Sequence, residues 1–77
     1  MVKVKVYGTP SCPWCHKAND FFKENNIESE YVDVSADEVA RKEMVEKSGQ
    51  MGVPVIDIDG KIIVGFDQEA IKKELKL

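Results

Sequence analysis

Cysteine is scarce in this sequence: there are two among 77 residues, both inside the run TPSCPWC at positions 9–15. A pair so close together closes almost no loop and constrains the unfolded chain very little, which excludes a framework disulfide. Histidine is scarcer still, with His16 alone. One histidine and a single CxxC fall short of the four ligands of a structural zinc site. No apolar stretch approaches the ~20 residues that span a bilayer. The N-terminal MVKVKVYG is too short and too lysine-rich for a signal peptide, so a cytoplasmic protein is expected, with no membrane partner. Lysine-rich runs and patches of stacking aromatics are also absent, and the net charge is −3 with both signs interleaved. That excludes a nucleic-acid footprint. Without repeats, low-complexity tracts or linkers, residues 1–77 are expected to form one domain, near the lower size limit for a single apolar core.

The sequence does contain apolar residues in readable periods. The hydrophobic fraction of 43% is just under the roughly 45–50% of globular chains, enough for a core. Val2, Val4 and Val6 alternate with Lys3 and Lys5, a strand over 2–7. The lysines imply a partly covered face, or stems lying along a helix with their ammonium groups in water. A helix is expected from Pro13 to Asn25, stopped at Asn25-Asn26, and a second strand over 28–34. Ser35-Ala36-Asp37-Glu38 fits the S-x-x-E capping box, so a second helix is expected to begin there and to end at Gly49. Asp59-Gly60 between two β-branched runs predicts a hairpin, Val55–Ile58 with Lys61–Val64, through a type I′ turn. Asp67 is placed to cap a last helix, with Ile71 and Leu75 inward and KKELK as its solvated face. The order β-α-β-α-β-β-α makes the first two strands parallel and adds an antiparallel pair. This α/β arrangement, a four-stranded mixed sheet flanked by three helices, is the smallest form of the thioredoxin fold.

The cysteines then sit between the first strand and the first helix, where a CxxC reads as a redox motif. In a reducing cytosol such a pair is reactive or metal-binding rather than structural. With Cys12 as the N-cap, Pro13 takes the first helical position, where its missing N–H costs nothing. The amides of Trp14 and Cys15 then point at the Cys12 sulfur. Those hydrogen bonds and the positive helix end favour the thiolate, so its pKa is expected below the ~8.5 of a free cysteine. Cys12 is therefore the expected nucleophile, and Cys15, one turn deeper and more buried, the resolving thiol. The i, i+3 spacing allows a bridge between them. A rival reading makes the pair ligands of a metal, or of an iron–sulfur cluster shared between subunits.

At these residues a family resemblance becomes specific. TPSCPWCHKA resembles the active-site segment of dithiol glutaredoxins, and more closely that of the NrdH-type redoxins that reduce ribonucleotide reductase. Val53-Pro54-Val55 is similar to the family's Val-Pro element, and Val64-Gly65-Phe66-Asp67 to its glycine turn before the last helix. The resemblance implies a small thiol–disulfide oxidoreductase, without a tightly bound cofactor, in which Pro54 is cis and faces the CxxC. Val53 would then pair its backbone with an incoming peptide or glutathione strand, while Trp14, Gly65, Asp67 and Thr9 line the groove. The departures bear on substrate. Thr9 stands where glutathione-using relatives carry a basic residue, Gly52 where they carry threonine, and one glycine and one aspartate remain of a Gly-Gly and Asp-Asp set. The expected partner is accordingly a disulfide-bearing protein, ribonucleotide reductase being the family's example. The expected electron donor is a flavoprotein disulfide reductase, with glutathione as the alternative co-substrate, and the protein is expected to act as a monomer.

The remaining residues carry plainer expectations. His16 reads as a solvated surface residue and Lys17 likewise, with a lesser role in holding the thiolate. Trp14 is either an exposed docking surface or packing, and Phe66 reads as core. Asp67 is a cap first and a ligand contact second. Met44 and Met51 read as packing.

Overall fold

In the computed structural model, which describes residues 3–76, alternate valines build the first strand, β1 (Val4–Gly8). Val4 and Val6 are buried on one face and Tyr7 on the other. Val2, which the alternation also assigned to the strand, lies outside the described residues. Lys5 shares the face of Tyr7. Its ammonium lies 5.6 Å from the Tyr7 ring centroid and 3.4 Å from Glu43, so its stem does lie along a helix.

Three further strands complete the sheet: β2 (Ser29–Asp33), β3 (Val55–Ile58) and β4 (Lys61–Val64), in the order β2-β1-β3-β4. β1 is parallel to β2, with Val6 opposite Tyr31, and antiparallel to β3, with Tyr7 opposite Val55. The hairpin has the expected bounds, and Asp59 and Gly60 take φ of +50° and +95°, the paired left-handed values of a type I′ turn.

The helices α1 (Pro13–Glu24) and α3 (Gln68–Leu75) cover one face of this sheet, and α2 (Glu38–Ser48) covers the other. Ala18, Phe22 and Ile71 close over Val4, Val6, Ile56 and Ile58, with Phe66 and Leu75 packed against them as expected. Ala40 and Met44 close over Tyr7, Val34 and Val55. Each such large side chain contributes about 1.5–3 kcal/mol by leaving water. The architecture is the minimal thioredoxin fold that the element order implied.

Two expectations need correction. The second helix does not start at Ser35. The Asp33 carboxylate accepts both the backbone N–H and the hydroxyl of Ser35, at 2.9 and 2.5 Å, which folds 33–36 into a turn. Asp37 caps instead, accepting Ala40 N–H at 3.0 Å, and its charge also favours the positive helix end. Met51 is not packing, since 69% of it is exposed. The cause lies in its neighbours: Gln50 folds its amide over Gly52, accepting its N–H at 2.5 Å and donating to its carbonyl at 3.0 Å. This clamp turns residue 51 outward.

Candidate active site

Three loops meet at one end of the sheet because β1 ends where β3 begins. Residues 9–12 leave β1 after Gly8, residues 49–54 enter β3 at Val55, and residues 65–67 leave β4 after Val64, the partner of Val55. The Val53–Pro54 bond is cis, as the resemblance implied, and Gly65 donates its N–H to the Pro54 carbonyl at 2.8 Å, which joins the second loop to the third. Pro54 has a cost-free position there, since its missing N–H precedes the strand ladder.

Cys12 and Cys15 form a disulfide across the first turn of α1, with α-carbons 5.2 Å apart. Cys12 is the N-cap and Pro13 the first helical residue, as expected. The Cys12 sulfur accepts one amide, that of Cys15, at 3.2 Å; Trp14 N–H, the second expected donor, does not reach it. The two sulfurs differ sharply in access: Cys12 is half-buried and Cys15 is 0% exposed. A hydrogen bond and the local dipole at a helix entrance both favour an anionic sulfur over a neutral one.

The other sequence-derived residues fall around this pair. Trp14 is 58% exposed beside Cys12, and the Lys17 ammonium sits 4.5 Å from its ring centroid, a cation–π contact that directs the lysine to the indole. Asp67 caps α3, accepting Ala70 N–H at 3.2 Å. Thr9 contributes its carbonyl, which accepts Cys12 N–H at 3.3 Å and the Tyr31 hydroxyl at 2.7 Å. His16 is exposed, as expected, yet its position is fixed. Its ring stacks on Tyr31, centroids 5.6 Å apart and 7° from parallel, and its Nε2 donates to the Pro10 carbonyl at 2.6 Å.

Tyr31, Gln50 and Gly8 belong to the site and were not singled out in the sequence. Tyr31 ties β2 to the cysteine loop, and burial, followed by the charge of Asp33, raises its pKa. Gly8 leaves room for the buried sulfur: a β-carbon there would stand 2.8 Å from Cys15 Sγ. The signal for Tyr31 was its register, a polar-tipped ring on the strand beside the one that feeds CPWC. A wide groove of about 1050 Å³ opens at the opposite end of the sheet, and its lining mixes Lys3, Lys5 and Lys23 with Glu28, Glu30 and Asp57. Mixed charge without a thiol gives that groove no part in the cysteine chemistry. Among the described residues no three His, Cys, Asp or Glu side chains gather as metal ligands. Among the same residues no helix is long and apolar enough to cross a membrane.

Comparison with known proteins agrees with this geometry. A family model described as Glutaredoxin matches residues 4–63. An uncharacterized glutaredoxin-like 8.6 kDa protein in the rubredoxin operon of Clostridium pasteurianum is 50% identical over 70 residues, covering 91% of this chain and 93% of that protein. Glutaredoxin 3 of Escherichia coli K12 is 31% identical over 67 residues, covering 87% and 81%. The crystal structure of the thioredoxin-like protein BC3987 superposes with a TM-score of 0.85 at 32% identity, covering 92% of this chain and 97% of that one. A family model over most of the chain, relatives aligned along nearly all of it, and a CxxC at the mouth of α1 lead to one conclusion: the chain belongs to the glutaredoxin family of thiol–disulfide oxidoreductases.

Proposed function

We propose that this protein reduces disulfides in other proteins as a single-domain dithiol enzyme, with Cys12 as nucleophile and Cys15 as resolving thiol. The observation that carries the reading is the asymmetry of the pair, a half-buried sulfur at a helix N-terminus bonded to a fully buried one. Reduced Cys12 attacks a target disulfide as the thiolate. A bond forms between Cys12 Sγ and one target sulfur, and the other target sulfur leaves with the electron pair and takes up a proton. Cys15 then closes the disulfide on Cys12 and releases the second target thiol. Two electrons pass to the target, and no bound cofactor carries them.

The rim of the site supports a protein target over glutathione. Trp14, Met51 and Val64 are exposed apolar residues on or beside the three converging loops. The backbone at Val53, beside cis-Pro54, offers an edge for an extended segment. The groove has Thr9 in place of a cation, and Lys17 is held by Trp14. The Asp67 carboxylate is bound to the start of α3. Few charges are left to grip the two carboxylates and the amine of glutathione. The reading therefore includes recharging by a flavoprotein disulfide reductase in a reducing compartment such as the cytoplasm, with ribonucleotide reductase as a candidate target by family resemblance.

Two coupled NADPH assays on the oxidised protein test the donor, one with glutathione and its reductase, the other with thioredoxin reductase. Turnover with thioredoxin reductase alone is expected. Fast turnover with glutathione alone reverses the donor assignment. Visible absorbance with bound iron in the purified protein would instead favour the cluster reading.

A further inference from the structure

The resolving thiol has a half-buried neighbour that its own helix does not supply. A β-carbon placed on Gly8 would lie 2.8 Å from Cys15 Sγ and also 2.8 Å from Tyr31 Oη, so sulfur and phenol oxygen flank one bare glycine. They are separated by no more than twice that distance. Cys15 has no exposure to water. When the disulfide opens, its thiolate would be a desolvated anion, the form that burial disfavours most.

The Tyr31 hydroxyl is a donor that the structure places beside that sulfur. From β1 comes Gly8, while the neighbouring Tyr7 packs on the opposite face. From α1 comes His16, whose ring is stacked on Tyr31 and whose Nε2 is held by Pro10. From β2 come Tyr31 and Asp33, and the Asp33 carboxylate is occupied by Ser35. Tyr31 Oη donates at present to the Thr9 carbonyl, which also receives Cys12 N–H and so keeps a partner if the phenol turns away. A thiol is a weak donor and a weak acceptor, whereas a thiolate draws a charge-assisted hydrogen bond. The hydroxyl therefore stays on Thr9 while Cys15 is neutral, and the balance reverses when Cys15 ionises.

We propose that Tyr31 is a positioning residue for the resolving step: its hydroxyl turns from Thr9 to Cys15 Sγ and holds that sulfur as the thiolate. The inference rests on Cys15 being the resolving thiol of the function proposed above. In the step it serves, Cys15 has given its proton to water. Its sulfur bonds to Cys12 Sγ as the bond from Cys12 Sγ to the target sulfur breaks. The electron pair leaves on the target sulfur, which is protonated by water. The cysteine pair is oxidised and the target reduced.

Tyr31→Phe keeps the ring stacked on His16 and removes only the donor. In a Cys12→Ser background Cys15 is the sole thiol, and its ionisation can be followed by ultraviolet thiolate absorbance. The loss of one charge-assisted hydrogen bond is expected to reduce the thiolate about tenfold at a given pH. With both cysteines present, resolution of the mixed disulfide should be about tenfold slower, the two proteins converging at high pH. Equal ionisation of Cys15 with and without the hydroxyl overturns the proposal, even if resolution slows for structural reasons. Should the phenylalanine variant fail to fold, fluorotyrosine incorporated at position 31 gives a more acidic donor and is expected to lower the Cys15 pKa; no change there also overturns it. The Cys15 titration needs no substrate, so it reads this inference even if Cys12 attacks no protein disulfide.

Discussion

Removing the charge of Glu43 should cost stability at neutral pH and nothing in strong acid. Tyr7 is fully buried in β1, and its hydroxyl donates to Glu43 Oε1 at 2.5 Å. Lys47 donates to the Tyr7 oxygen and to Glu43, both at 3.1 Å, and to Asp57 at 2.9 Å, while Lys5 reaches Glu43 at 3.4 Å. The bond from Tyr7, then those from Lys47 and Lys5, hold the Glu43 carboxyl down to about 2. Bonding to Asp57 first, then to Tyr7, pushes the Lys47 ammonium up. Glu43 is thus more acidic folded than unfolded, where glutamate ionises near ~4.3. Its contribution is whole above that value and disappears as pH falls toward about 2. Converted directly, the difference is roughly 3 kcal/mol. The Glu43 side chain is 39% exposed, however, and solvent screening leaves about 1 kcal/mol. Glu43→Gln, which keeps the shape, should therefore lower stability by about 1 kcal/mol at pH 7, or about 4–8 °C in Tm for a domain of this size. Urea unfolding of both proteins from neutral pH into acid is the assay. The gap between them should close as Glu43 titrates, and because every other acid is common to both, the difference isolates this one. A gap that stays constant with pH would refute the argument.

The cysteines should differ in kind: Cys12→Ser abolishes all turnover, whereas Cys15→Ser keeps reactions that need one thiol and accumulates the mixed disulfide on gels. Gly8→Ala places a carbon 2.8 Å from both Cys15 Sγ and Tyr31 Oη. It should cost about 1–3 kcal/mol in thermal unfolding of the oxidised protein. Asp37→Ala should cost about 1 kcal/mol by urea titration, and Ser35→Ala much less; the reverse order would restore Ser35 as the helix cap. Gly52→Thr restores a residue of glutathione-using relatives, and its β-carbon meets only the movable end of Gln50. The variant should fold and gain turnover in the glutathione-coupled assay.

What could be read from the chain divides by the distance between the residues that decide each feature. The hairpin depends on Asp59 and Gly60 alone, and the helix mouth on Cys12 to Cys15, so local chemistry was enough for both. The cap was read at Ser35, whereas the helix takes Asp37, two residues on, which suits the role equally by composition. The choice fell to Asp33, whose carboxylate takes Ser35 into a turn and leaves Asp37 free to cap. Met51 was misread for a similar reason, since the Gln50 amide that turns it outward carries no hydrophobic signal. The cis bond at Pro54 came from family likeness and has no periodicity behind it.

The least legible parts join residues far apart in sequence. Tyr7 meets Glu43 and Lys47 across separations of 36 and 40 residues, and Tyr31 meets Thr9 across 22. In the sequence Tyr7 and Tyr31 are simply two aromatic residues in strands. Parallel pairing of β1 with β2 places Tyr31 beside Val6 and gives it a phenol at the cysteine loop. Alternation along β1 sends Tyr7 to the other face, where Glu43 and Lys47 of α2 reach its hydroxyl and Asp57 of β3 holds Lys47. A one-residue shift in the register of either strand would exchange these environments. The apolar positions that fix that register, Val4, Val6, Ile56 and Ile58, therefore set the surroundings of both tyrosines.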